Sequence, residues 1–164
     1  LKPWAADMTL SVPPAENNVP LDMHLLNRAT VHGLSSFGIE SIEEQLALFE
    51  DLAIEEQVAL LTESICNYVE NQSQIDVMLS TYLEQDLGGL LRLGKKYQTP
   101  VNEDLLRRLL DNRNTRMAAR IRPWLDGGDF FIAVGALHLP GAKGLLRILR
   151  QQGYELEAID AVAR

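Results

Sequence analysis

Hydrophobic positions along this chain recur mostly at helical spacing. Pro20-Leu21-Asp22 opens a segment in which Leu21, Leu25 and Ala29 repeat every four residues until Gly33, the pattern of a helix with a glycine stop. Ser41, with Glu44 three residues later, forms a capping box at the head of the next helix. That helix carries Leu46, Phe49 and Leu52 or Ala53 on one side, and Val58, Leu61, Ile65 and Val69 mark a second. Further helices are expected around Gln74–Glu84 and Leu87–Tyr97, with Gly88-Gly89 blurring the junction between them. Pro100 marks a break, and Asn102, Leu105, Leu109 and Met117 predict one or two more helices up to Trp124. The opening, Leu1 to Asn18, reads as a surface helix or loop broken at Pro13-Pro14.

The pattern changes near the end. Asp126-Gly127-Gly128-Asp129 is a turn, and Phe130 to Val134 is aromatic and β-branched without polar alternation, which predicts a buried strand. A loop from Gly135 to Gly141 leads into a helix from Gly144 through Leu149, stopped by Gly153. Tyr154 to Ile159 alternates like a second strand, and Phe37–Glu40 reads as a third. The fold class expected is therefore a helix-rich α/β protein. A small central β-sheet with a C-terminal βαβ unit would be surrounded by many helices. Such a small sheet would keep an open edge, so a homo-oligomer is also expected.

Composition narrows the partners. The 164 residues are 46% hydrophobic and 23% charged, with a formal net charge of −8, which suits one globular domain and excludes disordered and collagen-like classes. The acidic balance argues against nucleic acid, whose phosphates need positive surface. Residues 1–91 hold 15 acidic and two basic residues, a net of −13, whereas residues 92–164 net +5. The two halves can neutralise each other by packing, or the acidic half can dock a basic partner. The apolar run Phe130–Leu137 is under half of the roughly 20 residues that a membrane helix needs. Cys66, alone, allows no intrachain disulfide and reads as a small buried apolar group. Trp4 and Trp124 read as core or edge-packing residues.

The candidate chemistry lies after the Phe130–Val134 segment. His138 comes after Gly135 in a loop, where ligands collect in parallel sheets. It can serve as metal ligand, general base or ordinary loop residue. Arg113, Arg116 and Arg120 share a helical side and suit either an anion or the carboxylates of residues 40–56. Glu40 can be a ligand or a charge at a helix N-terminus. His24, Arg28 and His32 share another side but have no acidic or cysteine partner there.

The run from Phe131 to Tyr154, with Gly135-Ala-Leu-His138 inside it, resembles the closing motif of the TraB/PrgY/GumN family, which includes the Tiki metalloproteases. Gly38-Ile39-Glu40, Glu44-Gln45-Leu46 and Asp111-Asn112-Arg113-Asn114 fall in the order of that family, and the resemblance spans about residues 20–160. It implies a metal-dependent hydrolase or peptidase acting on a peptide or small molecule. Glu40, Arg113, Asn114 and His138 would be its catalytic residues, and Glu40 and His138 would hold Mn, Co or Zn. The family carries two Gly-x-x-His motifs, whereas this sequence has one, at Gly135–His138. Residues 1–164 then read as a single, N-terminally incomplete domain, inactive alone for lack of the first motif. A periplasmic or exported location is also implied. The competing expectation is a non-catalytic binding or regulatory module that docks a basic partner through the acidic half.

Overall fold

The structure is a computed structural model, and it describes residues 1–11, 19–99 and 102–159. The expected breaks at Pro13-Pro14 and Pro100 lie outside the described residues. Among the described residues nine α-helices occur in order: α1 (Pro3–Ser11), α2 (Leu21–Val31), α3 (Ile42–Glu50), α4 (Ile54–Cys66), α5 (Tyr68–Leu83), α6 (Leu87–Lys96), α7 (Glu103–Arg107), α8 (Arg113–Leu125) and α9 (Leu145–Gln151). A π-helical turn, Arg108–Asn112, joins α7 to α8, and a 3₁₀ turn, Ala136–His138, precedes α9.

Local chemistry explains several of these boundaries. At the head of α3 the Ser41 hydroxyl accepts from Glu44 N–H, and Glu44 Oε2 accepts from Ser41 N–H at 2.9 Å. The junction between α5 and α6 lies at Gln85, which has a φ of 60°, rather than at the two glycines. Asp86 caps α6 by accepting from Gly89 N–H at 2.8 Å. A Cβ on Gly89 would lie 2.5 Å from Asp86 Oδ2, so the cap itself asks for glycine there. Val69, grouped with the preceding helix by spacing, belongs to α5.

The expected β-sheet is absent: no strand occurs among the described residues, and with it goes the C-terminal βαβ unit. Residues 130–134 and 154–159 are not helical, yet the backbone groups of 130–134 pair with no other backbone among the described residues. Strand-like composition can extend a chain, but a sheet exists only where two such segments come into ladder register. Here side chains anchor the segments instead. Phe37 and Phe130 both pack on Trp124 near the end of α8, and the Tyr154 hydroxyl donates to Asp126 at 2.5 Å. Phe131, expected in a buried strand, is 81% exposed, and Ile159, at the end of the alternating segment, is 86% exposed. Cys66 is likewise exposed rather than buried.

Six of the buried apolar residues form two clusters. Leu52, Leu60 and Leu105 join α4 to α7, with Phe49 and Leu109 against them, and Trp4 of α1 stacks on Phe49. Met117, Ala118 and Leu145 join α8 to α9, with Ile39, Val134 and Ile148 packed on them. The second cluster positions the segments that carry the candidate chemistry. Ile39 precedes Glu40, Val134 precedes Gly135, and Met117 lies one turn beyond Arg113. No helix among the described residues is long and apolar enough to cross a membrane.

Two glycines separate packing from propensity. A Cβ on Gly144 would lie 2.2 and 2.4 Å from the carbonyl oxygens of Pro140 and Leu139, whereas Gly94 in α6 has open space. Gly144→Ala should destabilise the chain by about 1–3 kcal/mol through overpacking. Gly94→Ala should stabilise it by about 0.5–1 kcal/mol through helix propensity. Urea unfolding followed by circular dichroism measures both.

Candidate functional site

Three elements converge on the second cluster: the segment before α3, the first turn of α8, and the 3₁₀ turn. They bring together all four residues singled out in the sequence. Glu40 sits just ahead of the Ser41 cap, and its carboxylate is 3% exposed. Arg113, 73 residues later, donates from Nε and Nη2 to Glu40 Oε2 at 3.0 and 2.8 Å, and from Nη1 to the Leu109 carbonyl. Arg116 Nη2 stands 3.6 Å from Glu40 Oε1. Arg120 completes the row. It donates to the Ile39 carbonyl at 2.9 Å and to both oxygens of Glu44 at 2.8 and 2.5 Å. That pair, with the Ser41 N–H, holds the Glu44 carboxyl down to about 2. The three arginines therefore meet the carboxylates at the head of α3, and the acidic and basic halves do neutralise each other here.

His138 is buried, and its Nδ1 lies 2.7 Å from Asn114 Oδ1. Asn114 is also buried, and its Nδ2 donates to the Lys143 carbonyl at 2.9 Å. Because the amide nitrogen already faces a carbonyl, the amide oxygen faces the ring. Nδ1 must then carry the proton, which leaves the Nε2 lone pair free. Nε2 has no hydrogen-bond partner among the described residues. Burial first, and then the charge of Arg113, push the His138 pKa below its ordinary value of 6.5, against the opposing pull of Glu40. The ring is neutral at neutral pH.

Consecutive residues of one helix thus serve two different partners: Arg113 takes Glu40 and Asn114 takes His138. The π-helical turn directly before them widens the helix by one residue and sets their direction, a feature frequent at functional sites. Neither that turn nor the Lys143 carbonyl leaves a signal in the sequence. Met78 and Tyr82 of α5, beside His138, are spaced four apart, which marks a helix face but not its neighbour. His24, on α2, and His32, the residue that caps its C-terminus, are both exposed.

A divalent metal in a catalytic site normally takes three protein donors. Among the described residues no three His, Cys, Asp or Glu side chains gather to supply them. Glu40, expected as a ligand, is engaged by Arg113 and Arg116. Of the four residues of the constellation, only His138 keeps an uncommitted donor atom, Nε2, so they do not by themselves fit a bound metal.

The sequence matches the TraB/PrgY/gumN family over residues 1–158. The chain belongs to the TraB/PrgY/gumN family. Metalloprotease TIKI2 from Danio rerio is similar to it, with 25% identity over 166 residues covering 84% of this chain and 32% of that relative. The chain therefore spans about a third of the length of this curated relative. No solved structure matches the chain. Within this TraB/PrgY/gumN chain, the Gly135–His138 turn and the Glu40–Arg113 pair form one continuous constellation across the head of α8.

Two measurements test this geometry. Glu40→Gln strands a guanidinium that is only 16% exposed, and should cost about 3–5 kcal/mol, as expected for breaking a buried pair. Replacing both residues, Glu40→Gln with Arg113→Met, should recover much of that loss in a double-mutant cycle. For His138 the sign comes from its lowered pKa. The unfolded chain binds a proton near pH 6.5 and the folded chain only below that, so stability should fall as pH drops from 6.5 toward the folded value. The His138→Gln variant should lose that part of the slope in pH-dependent unfolding.

Proposed function

We propose that this chain is a hydrolytic member of the TraB/PrgY/gumN family, acting on peptide bonds, with His138 as general base. The observation that carries this reading is the buried imidazole of His138, whose Nδ1 lies 2.7 Å from Asn114 Oδ1 while Nε2 has no hydrogen-bond partner among the described residues and can accept a proton. A water held at Nε2 gives up its proton as its oxygen attacks the carbonyl carbon. Negative charge develops on the carbonyl oxygen, and the field of Arg113, already felt at His138, opposes its cost. Glu40 keeps Arg113 in place and favours the imidazolium formed in that step. The tetrahedral intermediate then collapses: its C–N bond breaks as the proton passes from Nε2 to the leaving amine nitrogen, and the carbonyl re-forms as a carboxylic acid.

The similarity to a metalloprotease supports a role for a metal ion, for which Mn, Co and Zn are the candidates to test, and His138 Nε2 is the donor this chain offers. Since the described donors do not complete a metal shell, no step above depends on one. A complete shell takes donors beyond these, in keeping with a family domain that carries a second Gly-x-x-His. The competing reading, a binding module docking a basic partner through the acidic half, is weakened because Glu40 and Glu44 are engaged within the chain.

The test is hydrolysis of a peptide library by the purified chain, with and without added Mn²⁺, Co²⁺ or Zn²⁺. His138→Gln should lower the rate by about 10²–10⁴-fold, the usual worth of a general base, with an unchanged circular dichroism spectrum. The wild-type rate should decline on acidification with a midpoint below pH 6.5. Full activity in His138→Gln, or no cleavage under any metal condition, would contradict the proposal.

A further inference from the structure

Two residues of one helical stretch hold Lys143. Its carbonyl accepts from Asn114 Nδ2 at 2.9 Å, and its ammonium stands 3.0 Å from Asp111 Oδ2. Asp111 lies in the π-helical turn and Asn114 in the first turn of α8. Three residues apart, they share a helical side, so a single residue of the crossing chain can meet both. Leu110 of the same turn, with Met78 and Tyr82 of α5 and Leu90 of α6, walls an open cavity of about 400 Å³ beside His138. The π-helical turn therefore borders the imidazole through one residue and anchors Lys143 through the next.

This anchor matters because an amide can meet the ring in two ways. With Nδ2 on the Lys143 carbonyl, Oδ1 faces His138 Nδ1 and requires a proton there. Rotated by half a turn, the amide would present Nδ2 to the ring, and the proton would belong on Nε2. A fixed Lys143 carbonyl opposes that rotation, because Oδ1 would then face another acceptor. That carbonyl accepts from no backbone N–H among the described residues, so its place depends on Asn114 and on what holds the lysine. The charges that act on the ring are those of Arg113 and Glu40, and Asp111 reaches it through the amide.

We propose that Asp111 is a positioning residue: by holding the Lys143 ammonium it keeps the Lys143 carbonyl on Asn114 Nδ2, and so keeps the His138 proton on Nδ1. The inference rests on the hydrolase reading for its purpose, since only that neutral form leaves Nε2 able to take a proton from water. The ion pair lies at the surface, with the Lys143 side chain 65% exposed, and such pairs contribute little to stability. A preference between two orientations of one amide needs no more.

The experiment uses the whole chain labelled with ¹⁵N at histidine and long-range ¹H–¹⁵N correlation at pH 7, with His138 assigned by its loss in His138→Gln. The population-weighted ring ¹⁵N shifts give the ratio of the two neutral forms. Lys143→Met and Asp111→Asn should each raise the ratio of the Nε2–H form to the Nδ1–H form by about two- to fivefold, the equilibrium equivalent of an exposed ion pair. Circular dichroism should stay unchanged. The exchanged pair, Asp111→Lys with Lys143→Asp, and the conservative Lys143→Arg should restore the wild-type ratio. Arg92→Met, which removes a comparably exposed pair with Asp86, should leave the ring unmoved. A wild-type ratio in both Lys143→Met and Asp111→Asn would overturn the proposal. So would an equal change in Arg92→Met, or an exchanged pair no nearer the wild type than the single variants. Peptide hydrolysis by the same variants separates the two readings. A shifted ratio in a chain that cleaves no peptide would leave Asp111 its positioning role and remove the catalytic reading. Cleavage with an unmoved ratio would do the reverse.

Discussion

The ion pair between Glu40 and Arg113 is the constraint on which the rest of this site depends. It joins residues 73 apart, one from the acidic part of the sequence and one from the basic part, with a carboxylate that is almost wholly removed from water. A buried charge is tolerated only when paired and hydrogen-bonded. The segment before α3 is therefore not free to leave the head of α8. Arg120 repeats the connection further along α8, tying the Ile39 carbonyl and the Glu44 of the capping box to the same helix. Ile39 itself rests on Met117, Ala118 and Leu145. The charge pairs and the small apolar cluster thus fix the same two segments from different sides.

Given that anchor, the position of His138 is determined in turn. Asn114 neighbours Arg113 in the chain, so holding one orients the other. Its amide spans from the Lys143 carbonyl to the imidazole, and the close approach of Gly144 to the Leu139 and Pro140 carbonyls keeps the returning chain compact. The same Arg113 charge that satisfies Glu40 helps to keep His138 neutral. One guanidinium therefore carries a structural role and an electrostatic one. This arrangement is part of a TraB/PrgY/gumN chain that covers about a third of the metalloprotease to which it is similar.

Much of the helical framework was legible because its signals are local. The Leu21-Leu25-Ala29 spacing, the Ser41–Glu44 box and the stops at Gly33 and Gly153 each encode a boundary within a few residues. The sheet was misread because Phe130–Val134 and Tyr154–Ile159 have strand-like composition, whereas pairing depends on a partner segment that composition cannot reveal. Their anchors are instead Trp124 and Asp126, at the end of α8. For the site, spacing alone left Glu40 and Arg113 with several roles, and the family motif was what grouped them with Asn114 and His138. Even so, the expected ligand role of Glu40 meets a carboxylate engaged by arginine. The cavity beside His138 was not legible at all, since it is assembled from four separate stretches of chain.

At the centre of this account, His138 presents a bare Nε2 because Asn114 holds the Nδ1 proton. Long-range ¹H–¹⁵N correlation spectroscopy of the histidine rings at pH 7 tests this most directly. The account predicts a single neutral form of His138 with Nδ1 protonated and Nε2 unprotonated. A His138 ring protonated at Nε2, or doubly protonated at that pH, would contradict it.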